Sequence, residues 1–173
     1  SATIDEFRDY IKDSHEEKEI LIQERVRMAI KIIEPSFIMD KIEIIEEYME
    51  KEAIYFRLIS GELLQVLIQI LNNIKDAFSE NNIENKWFKY SVKKDGDKFI
   101  ISLEDNAGGI EFGIMDKIFN PYFTTKHQKQ GTGMGLYNCY NIVTKHLRGK
   151  IYATNTSVGV KFTIELPYNK LTA

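Results

Sequence analysis

Two acids, an amide and two glycines stand together in residues 104–110, which read Glu-Asp-Asn-Ala-Gly-Gly-Ile. An apolar strand pattern runs directly into them, so the carboxylate of Asp105 is predicted to lie at the carboxyl edge of a sheet. The glycines let the backbone turn sharply and come close to a ligand. For this segment taken alone, a binding site and a plain polar strand end with a glycine turn both remain open.

A second group of glycines precedes a predicted helix, in residues 131–135, which read Gly-Thr-Gly-Met-Gly. Backbone N–H groups at such a place form an anion site together with the positive end of the helix. The spacing matches neither the Walker phosphate loop nor the dinucleotide fingerprint, which needs glycine where this chain has Leu136. A flexible hinge is the alternative interpretation.

Polar side chains on a helix and in a loop are further candidates for ligand binding. Asn73 follows Gln69 by one helical turn, so both side chains point the same way. An amide oxygen is a suitable ligand for a Mg²⁺ ion that also contacts phosphates. Lys126, in a loop rich in Thr, Lys, Gln and Gly, is able to reach a phosphate. The alternatives are a polar helix face turned to water and one more solvated lysine.

Helical and strand patterns alternate along the chain and must position these side chains. The clearest helix spans residues 62–78, with a wide apolar stripe. The clearest hairpin joins strands 86–94 and 98–104 across Asp95 and Gly96. The other predicted elements are a helix over 3–18, an edge strand over 19–22, a helix over 23–34 that Pro35 ends or bends, strands over 41–48 and 53–59, a helical turn over 115–119, a helix over 134–147 capped by Gly149, and a hairpin of strands 150–154 and 158–166. This pattern predicts an α+β sandwich, with a mixed sheet covered by helices on one face.

Composition restricts the class of protein. The 173 residues suffice for one domain with a core, and 43% hydrophobic and 28% charged residues are ordinary for a globular protein. A net charge of −3 without a basic, aromatic-rich run gives no sign of a nucleic-acid surface. No signal peptide or membrane-span-length apolar run is present. The single cysteine, Cys139, excludes an intramolecular disulfide and fits a small core position. Because the chain begins with Ser1, upstream parts are expected to be missing from it.

Four segments, in their order and spacing, resemble the ATP-binding catalytic domain of bacterial two-component sensor histidine kinases. This domain belongs to the GHKL group of ATPases, which also holds gyrase and MutL. The resemblance is carried by an N box at residues 65–77, a G1 box at 105–110, an F box at 118–126 and a G2 box at 131–136. It covers roughly residues 19–167 and implies the two-layer Bergerat-type ATP-binding fold. It divides the chain into the end of the dimerisation hairpin's second helix (1–18), a catalytic domain (19–168) and a tail (169–173).

The resemblance also implies roles for single residues. Asp105 would accept a hydrogen bond from the adenine amino group, and Gly109 would let the backbone approach the base. Asn73 would hold Mg²⁺ and act in catalysis with Gln69 and Lys126. Phe119 and Phe123 would anchor a lid over the nucleotide that runs to Gly135. The other implied nucleotide-site residues are Asp76, Ala107, Ile110, Thr124, Thr125, Gly131, Thr132, Gly133, Met134, Gly135 and Leu136.

Two positions depart from the family pattern. Ala107 stands where the G1 box often has glycine, which costs little if its φ is negative. Gln69 stands where kinases often have Asn and where the hydrolysing relatives have a Glu that activates water. Because Gln cannot take a proton at neutral pH, this departure favours phosphoryl transfer over hydrolysis.

The resemblance implies transfer of the γ-phosphoryl of Mg-ATP to a histidine on a phosphoacceptor hairpin, in two-component signalling. The rivals are a Ser/Thr protein kinase of anti-sigma type and a nucleotide-gated interaction module without turnover. Expected partners are that hairpin and a response regulator, with no nucleic acid. The full-length protein is expected to be a homodimer, while a monomer is open for this fragment. We expect a cytoplasmic domain, and anchoring of the parent in the inner membrane stays open.

The three histidines are not expected to accept the phosphoryl group. His127 falls in the lid, and His146, near a helix end, fits an interaction with the helix dipole. His15 precedes Glu16 as in the phosphoacceptor box, but no proline follows within a few residues and the position is that of the hairpin's second helix. The fragment alone should therefore not phosphorylate itself.

Overall fold

The computed structural model describes Ile4 and residues 16–121, 123 and 135–168 of this chain. Its strands and helices pack around one apolar core. In chain order they are β1 (Glu17–Leu21), α1 (Ile22–Met39), β2 (Glu43–Met49), β3 (Tyr55–Ile59), α2 (Glu62–Glu80), β4 (Trp87–Asp95), β5 (Lys98–Asp105), α3 (Phe112–Met115), α4 (Gly135–Asn141), a π-helical segment (Ile142–His146), β6 (Lys150–Asn155) and β7 (Val160–Pro167).

The main sheet has five strands in the order β2-β4-β5-β7-β6. The β2–β4 pair is parallel and the other pairs are antiparallel, so the predicted mixed sheet is confirmed. Side chains alternate along β5: Phe99, Ile101 and Leu103 are buried, whereas Ser102 and Glu104 point to the other, polar face. The helices cover the apolar face, and the predicted two-layer α+β sandwich is therefore confirmed.

The long helix α2 is buried along one stripe, as its sequence predicts. Its apolar side chains are fully enclosed because they lie at helical spacing against the sheet. Two aromatic pairs tie other elements to this core. Phe37 of α1 meets Phe88 of β4 edge-on with ring centroids 5.7 Å apart, and Phe56 of β3 meets Phe99 of β5 at 5.6 Å. The buried α2 residues are Leu63, Leu64, Val66, Leu67, Ile70, Leu71, Ile74 and Phe78.

Pro35 does not end the second predicted helix, because α1 continues to Met39. The exposed proline removes one backbone hydrogen bond, at a cost of about 3 kcal/mol. Phe37, two residues later, is completely buried, which gains about 1.5–3 kcal/mol and offsets that cost. The helix instead ends where Lys41 turns left-handed, at φ 59°, and the N–H of Ile42 bonds to the Phe37 carbonyl.

The start of the chain also differs from its sequence pattern. The helix predicted over 3–18 cannot reach Lys18, since β1 begins at Glu17 and pairs with β3 in a separate two-stranded sheet. The rest of that prediction falls on residues 3–16, of which only Ile4 and Glu16 are described. The helical turn predicted over 115–119 lies earlier, at Phe112–Met115.

The last helix changes character before it ends. It is an α-helix only to Asn141, and five π-helical residues follow. Gly149 is predicted as the C-terminal cap of this helix, and its N–H does bond to the Val143 carbonyl at 2.7 Å. The left-handed residue is the preceding Arg148, with φ 59°. Gly149 is needed for another reason: a Cβ there would lie 2.2 Å from the Glu165 carbonyl oxygen of β7. Among the described helices, none is long and apolar enough to cross a bilayer.

Candidate nucleotide site

Asp105 is a buried carboxylate at the end of the central strand β5. It is only 2% exposed, and its Oδ1 accepts the N–H groups of Ala107 at 2.9 Å and Val160 at 3.4 Å. Within the described residues, none of the hydrogen bonds goes to Oδ2. Burial raises the pKa of this carboxyl to about 6, and the two N–H donors oppose that rise. The side chain is therefore fixed through one oxygen while the other remains an acceptor for a ligand.

The turn between β6 and β7 is packed tightly against this carboxylate. A Cβ at Gly159 would lie 2.0 Å from the Asp105 carbonyl oxygen, so only glycine fits there. Gly108 has φ +94°, and its N–H bonds to the Val158 carbonyl at 3.1 Å. The left-handed turn at Gly108 thus joins the segment after Asp105 to the β6–β7 turn. Ala107 is fully buried, and it is absent from the described non-glycine residues that have a positive φ. Alanine is therefore tolerated at this position, where the family often has glycine.

Asparagine side chains, which the sequence reasoning missed, hold the segment after Asp105 in place. Asn155 accepts the N–H of Ile110 at 2.9 Å and donates to the carbonyl of the same residue at 2.8 Å. Asn81 donates to Ala107 at 2.8 Å, and so connects the end of α2 to this segment. A Cβ at Gly109 would lie 3.0 Å from the Asn155 side-chain oxygen. The sequence did contain a sign of these roles, because Asn81 stands beside a helix end and Asn155 stands at a tight turn, where asparagine side chains often bond to the backbone.

Gln69 and Asn73 do lie together on α2. The Gln69 amide nitrogen donates to the Asn73 side-chain oxygen at 3.2 Å, and both residues are half-buried. Asp76 follows on the same side. Although Asp76 is largely exposed, partial loss of solvent raises the pKa of its carboxyl, and the Lys75 charge opposes this.

Gly135, the last glycine of the second glycine group, contacts Gln69 directly. A Cβ at Gly135 would lie 2.6 Å from the Gln69 side-chain Cδ and Nε2. A cavity of about 260 Å³ opens beside this contact, between α2 and α4. Gln69 and Gly135 line this cavity together with Gln65, Asn72 and Asn138, whereas Asn73 does not.

The segment predicted as a lid is anchored at its described end by aromatic contacts. Phe119 lies 6.2 Å from Tyr140 of α4 and 6.5 Å, edge-on, from Phe162 of β7, between ring centroids. Phe123 and Leu136 pack against the core. The other predicted lid residues lie outside the described residues: Thr124, Thr125, Lys126, Gly131, Thr132, Gly133 and Met134.

The described residues fit a metal ion that arrives with a nucleotide rather than one held by the protein alone. They contain no group of three or more His, Cys, Asp or Glu side chains that is able to hold a metal. Mg²⁺ commonly keeps several waters and takes few protein ligands beside phosphate oxygens. The Asn73 side-chain oxygen has a second lone pair besides the one that accepts from Gln69. One Mg²⁺ ligand from the protein is thus compatible with this geometry.

Two other predicted residues have structural partners. His146, expected to interact with the helix dipole, forms a 2.8 Å contact from Nδ1 to Glu62 Oε1 in the first turn of α2. Cys139 is a core residue, as predicted, and its Sγ lies 3.8 Å from the Val66 carbonyl oxygen. Burial raises the pKa of this thiol to about 12, which makes it unreactive at neutral pH.

The chain is similar to known sensor kinases over most of its length. It is 28% identical over 171 residues to the signal transduction histidine-protein kinase AtoS of Escherichia coli K12, and this alignment covers 98% of the chain but 27% of AtoS. A nucleotide-free catalytic domain of histidine kinase ThkA superposes with a TM-score of 0.76 at 28% identity, covering 88% of this chain and 98% of that domain. ThkA in complex with the response regulator protein TrrA shares the fold, with a TM-score of 0.73 at 24% identity, over 99% of this chain and 48% of ThkA.

The family profile described as histidine kinase-, DNA gyrase B- and HSP90-like ATPase matches residues 59–170, which include Asp105, Asn73 and both glycine groups. This match spans well over half of the chain. The protein therefore belongs to the family of histidine kinase-, DNA gyrase B- and HSP90-like ATPases.

Proposed function

We propose that this chain binds Mg-ATP and transfers the γ-phosphoryl group to a histidine on a phosphoacceptor hairpin, in two-component signalling. The observation that carries the proposal is the buried Asp105 carboxylate, which the described residues hold through Oδ1 alone. A fixed carboxylate oxygen is an acceptor that matches the exocyclic amino group of adenine. The family to which the chain belongs supports the same interpretation.

The helix α2 sets the spacing between the proposed base site and the proposed metal site. Asn81, at the end of α2, bonds to Ala107 beside Asp105, and Asn73 lies eight residues earlier. At a rise of 1.5 Å per residue, the two positions are about 12 Å apart along the helix. A nucleotide whose base lies against Asp105 would extend its phosphates toward Asn73.

The phosphate end would be held by Asn73 and the lid. Mg²⁺, when bound with the nucleotide, would neutralise negative charge on the β- and γ-phosphates. Asn73 would offer its side-chain oxygen to that ion, with its orientation fixed by the hydrogen bond from Gln69. Lys126 and Gly131, Gly133 and Gly135 are proposed as phosphate contacts, and Asp76, Ile110, Thr124, Thr125, Thr132, Met134 and Leu136 as further parts of the nucleotide site.

Transfer to a protein side chain is favoured over hydrolysis. Gln69 stands where a water-activating carboxylate would be needed, and no Asp or Glu is found among the described residues that line the adjoining cavity. None of the described side chains that line this cavity is therefore able to take a proton from water. The proposed partners are the chain's phosphoacceptor hairpin and a response regulator, the class of protein found bound to ThkA. The 1–18 segment, apart from Glu17 and Lys18, which belong to β1, is proposed as the end of that hairpin.

The test is a transfer assay with Mg-[γ-³²P]ATP and an added hairpin that carries the phosphoacceptor histidine. We expect acid-labile, alkali-stable label on the hairpin and none on the chain alone. A His15→Gln variant is the control for labelling of the chain. Acid-stable label on a Ser or Thr would favour the anti-sigma type of kinase, and ATP binding without any transfer would favour the interaction module.

A further inference from the structure

The cavity between α2 and α4 has a rim of carboxamides and an apolar floor. Gln65, Asn72 and Asn138 are exposed on its rim, and Gln69 closes one side. Val66 and Cys139 are buried beneath, where the Cys139–Val66 contact joins the two helices. We call this space the carboxamide groove. Its volume, about 260 Å³, is below the range of roughly 300–1,000 Å³ for pockets that hold whole small ligands. As bounded by the described residues, the groove is therefore of a size that receives one side chain of a partner.

The groove lies beyond the proposed metal ligand, on the side away from the base. Along α2 the order is Asn81 beside the Asp105 segment, then Asn73, then Gln69 and Gln65 in the groove. Gln65 is eight residues before Asn73, which is about 12 Å along the helix. A triphosphate that extends from Asp105 past Asn73 would point its γ-phosphorus at the groove. A group in the groove would then face the γ-phosphorus opposite the leaving ADP.

The chemistry of the groove favours a neutral polar ring. No acidic or basic side chain of the described residues lines it, so these residues offer neither a countercharge for a phosphate nor a base for a hydroxyl. A serine or threonine nucleophile would need such a base. A neutral imidazole needs none, because one ring nitrogen already has a free lone pair. Its other nitrogen carries a proton that a carboxamide oxygen is able to accept.

We infer that the carboxamide groove seats the neutral imidazole of the phosphoacceptor histidine, with Gln65 or Asn138 accepting the ring N–H. This inference rests on the proposed function and adds the residues that receive and orient the acceptor. The hydrogen bond fixes which nitrogen is protonated, and therefore which nitrogen faces the γ-phosphorus. Val66 and Cys139 supply the apolar surface beneath the ring.

The transfer step balances without a further reactant. The free ring nitrogen attacks the γ-phosphorus, an N–P bond forms, and the bond from phosphorus to the β,γ-bridging oxygen breaks. ADP leaves with that electron pair. The ring becomes a phosphoimidazolium, and its remaining N–H stays bonded to the carboxamide oxygen until the proton passes to water. A carboxamide thus stabilises the positive charge that develops on the ring.

The test uses side chains of matched shape that lack hydrogen-bonding groups. Gln65→Met and Asn138→Leu, combined, should lower transfer to the histidine hairpin at least about tenfold, the loss expected for one or two hydrogen bonds. The affinity for Mg-ATP should stay within about twofold. Asn141→Leu is the control, because Asn141 is an asparagine on the same helix that does not line the groove. Transfer by this control should equal that of the unchanged chain.

A second readout does not depend on transfer. Imidazole is titrated at pH 8 into the Mg-ADP complex, and the side-chain carboxamide NMR signals are followed. The signals of Gln65 and Asn138, identified by their loss in the variants, should shift with imidazole and not with inorganic phosphate. Unmoved signals, unchanged transfer by the double variant, or an equal loss of ATP affinity would each overturn the inference. If the unchanged chain binds ATP but never labels the hairpin, the proposed function fails, while the titration still decides the groove.

Discussion

The contact between Gly135 and Gln69 predicts that Gly135→Ala destabilises the protein when Gln69 is present and does not when Gln69 is replaced by alanine. A Cβ added at Gly135 would lie 2.6 Å from the Gln69 Cδ and Nε2 atoms, whereas carbon atoms in contact prefer about 3.5–4.0 Å. The Gln69 side chain would have to move by about 1 Å or more. Its 3.2 Å hydrogen bond to Asn73 would then be lost.

The size of the effect follows from these two changes. An off-rotamer side chain costs about 0.5–1.5 kcal/mol, and a lost hydrogen bond costs about as much. Gly135→Ala also gains about 0.5–1 kcal/mol, because alanine is the better helix former. We expect a net loss of about 0–2.5 kcal/mol in the free energy of unfolding. In a Gln69→Ala background there is no clash, so the same substitution should be neutral or stabilising.

The assay is urea unfolding, without nucleotide, of the four proteins in this double-mutant cycle. The expected coupling free energy is about 1–3 kcal/mol. Gly113→Ala is the control, because a Cβ at that position meets no atom within 4 Å. It should have the same effect in both backgrounds. If Gly135→Ala lowers the free energy of unfolding equally with and without the Gln69 side chain, this contact is not the reason that position 135 requires glycine, and the reasoning is wrong.

Three further predictions concern the nucleotide site. Asn73→Ala should weaken ATP binding in Mg²⁺ more than ADP binding in EDTA, and equal losses by calorimetry would make Asn73 structural. The unchanged chain should hydrolyse ATP very slowly, and Gln69→Glu should raise phosphate release by supplying a base; fast release by the unchanged chain would refute this. Because burial raises the pKa of Asp105 to about 6 from an ordinary value of 3.8, the folded state holds this proton more tightly than the unfolded state. Asp105 should therefore lower the free energy of unfolding as the pH rises from about 4 to 6, and the difference in stability between the unchanged chain and Asp105→Asn should change with pH accordingly.

The parts of the fold that depend on residues close together in sequence could be predicted from local patterns. The apolar stripe of α2 and the β4–β5 hairpin are both where the sequence predicted them, within two residues at their ends. Asp105 also falls at the end of a strand, as its position after alternating apolar residues required. In each case one periodicity and one turn signal are sufficient, because the partner surface is the core itself.

Long-range contacts account for what the sequence did not reveal. Pro35 lies inside α1 because Phe37 is buried against Phe88, a residue far along the chain. The side-chain roles of Asn81 and Asn155 depend on the distant backbone of Ala107 and Ile110. No spacing rule within one helix or turn encodes such pairs. The same holds for the carboxamide groove, since it exists only where α2 and α4 meet.

The central claim is that the Asp105 carboxylate recognises adenine, and Asp105→Asn tests it most directly. An asparagine keeps an oxygen for the Ala107 and Val160 N–H groups, yet presents a donor where the adenine amino group needs an acceptor. Calorimetry with ATP and GTP on both proteins should show a preference for ATP in the unchanged chain. In the variant, ATP affinity should fall by about 1–3 kcal/mol, roughly 5- to 150-fold, and the preference should disappear. Equal ATP affinity in the two proteins would contradict the account.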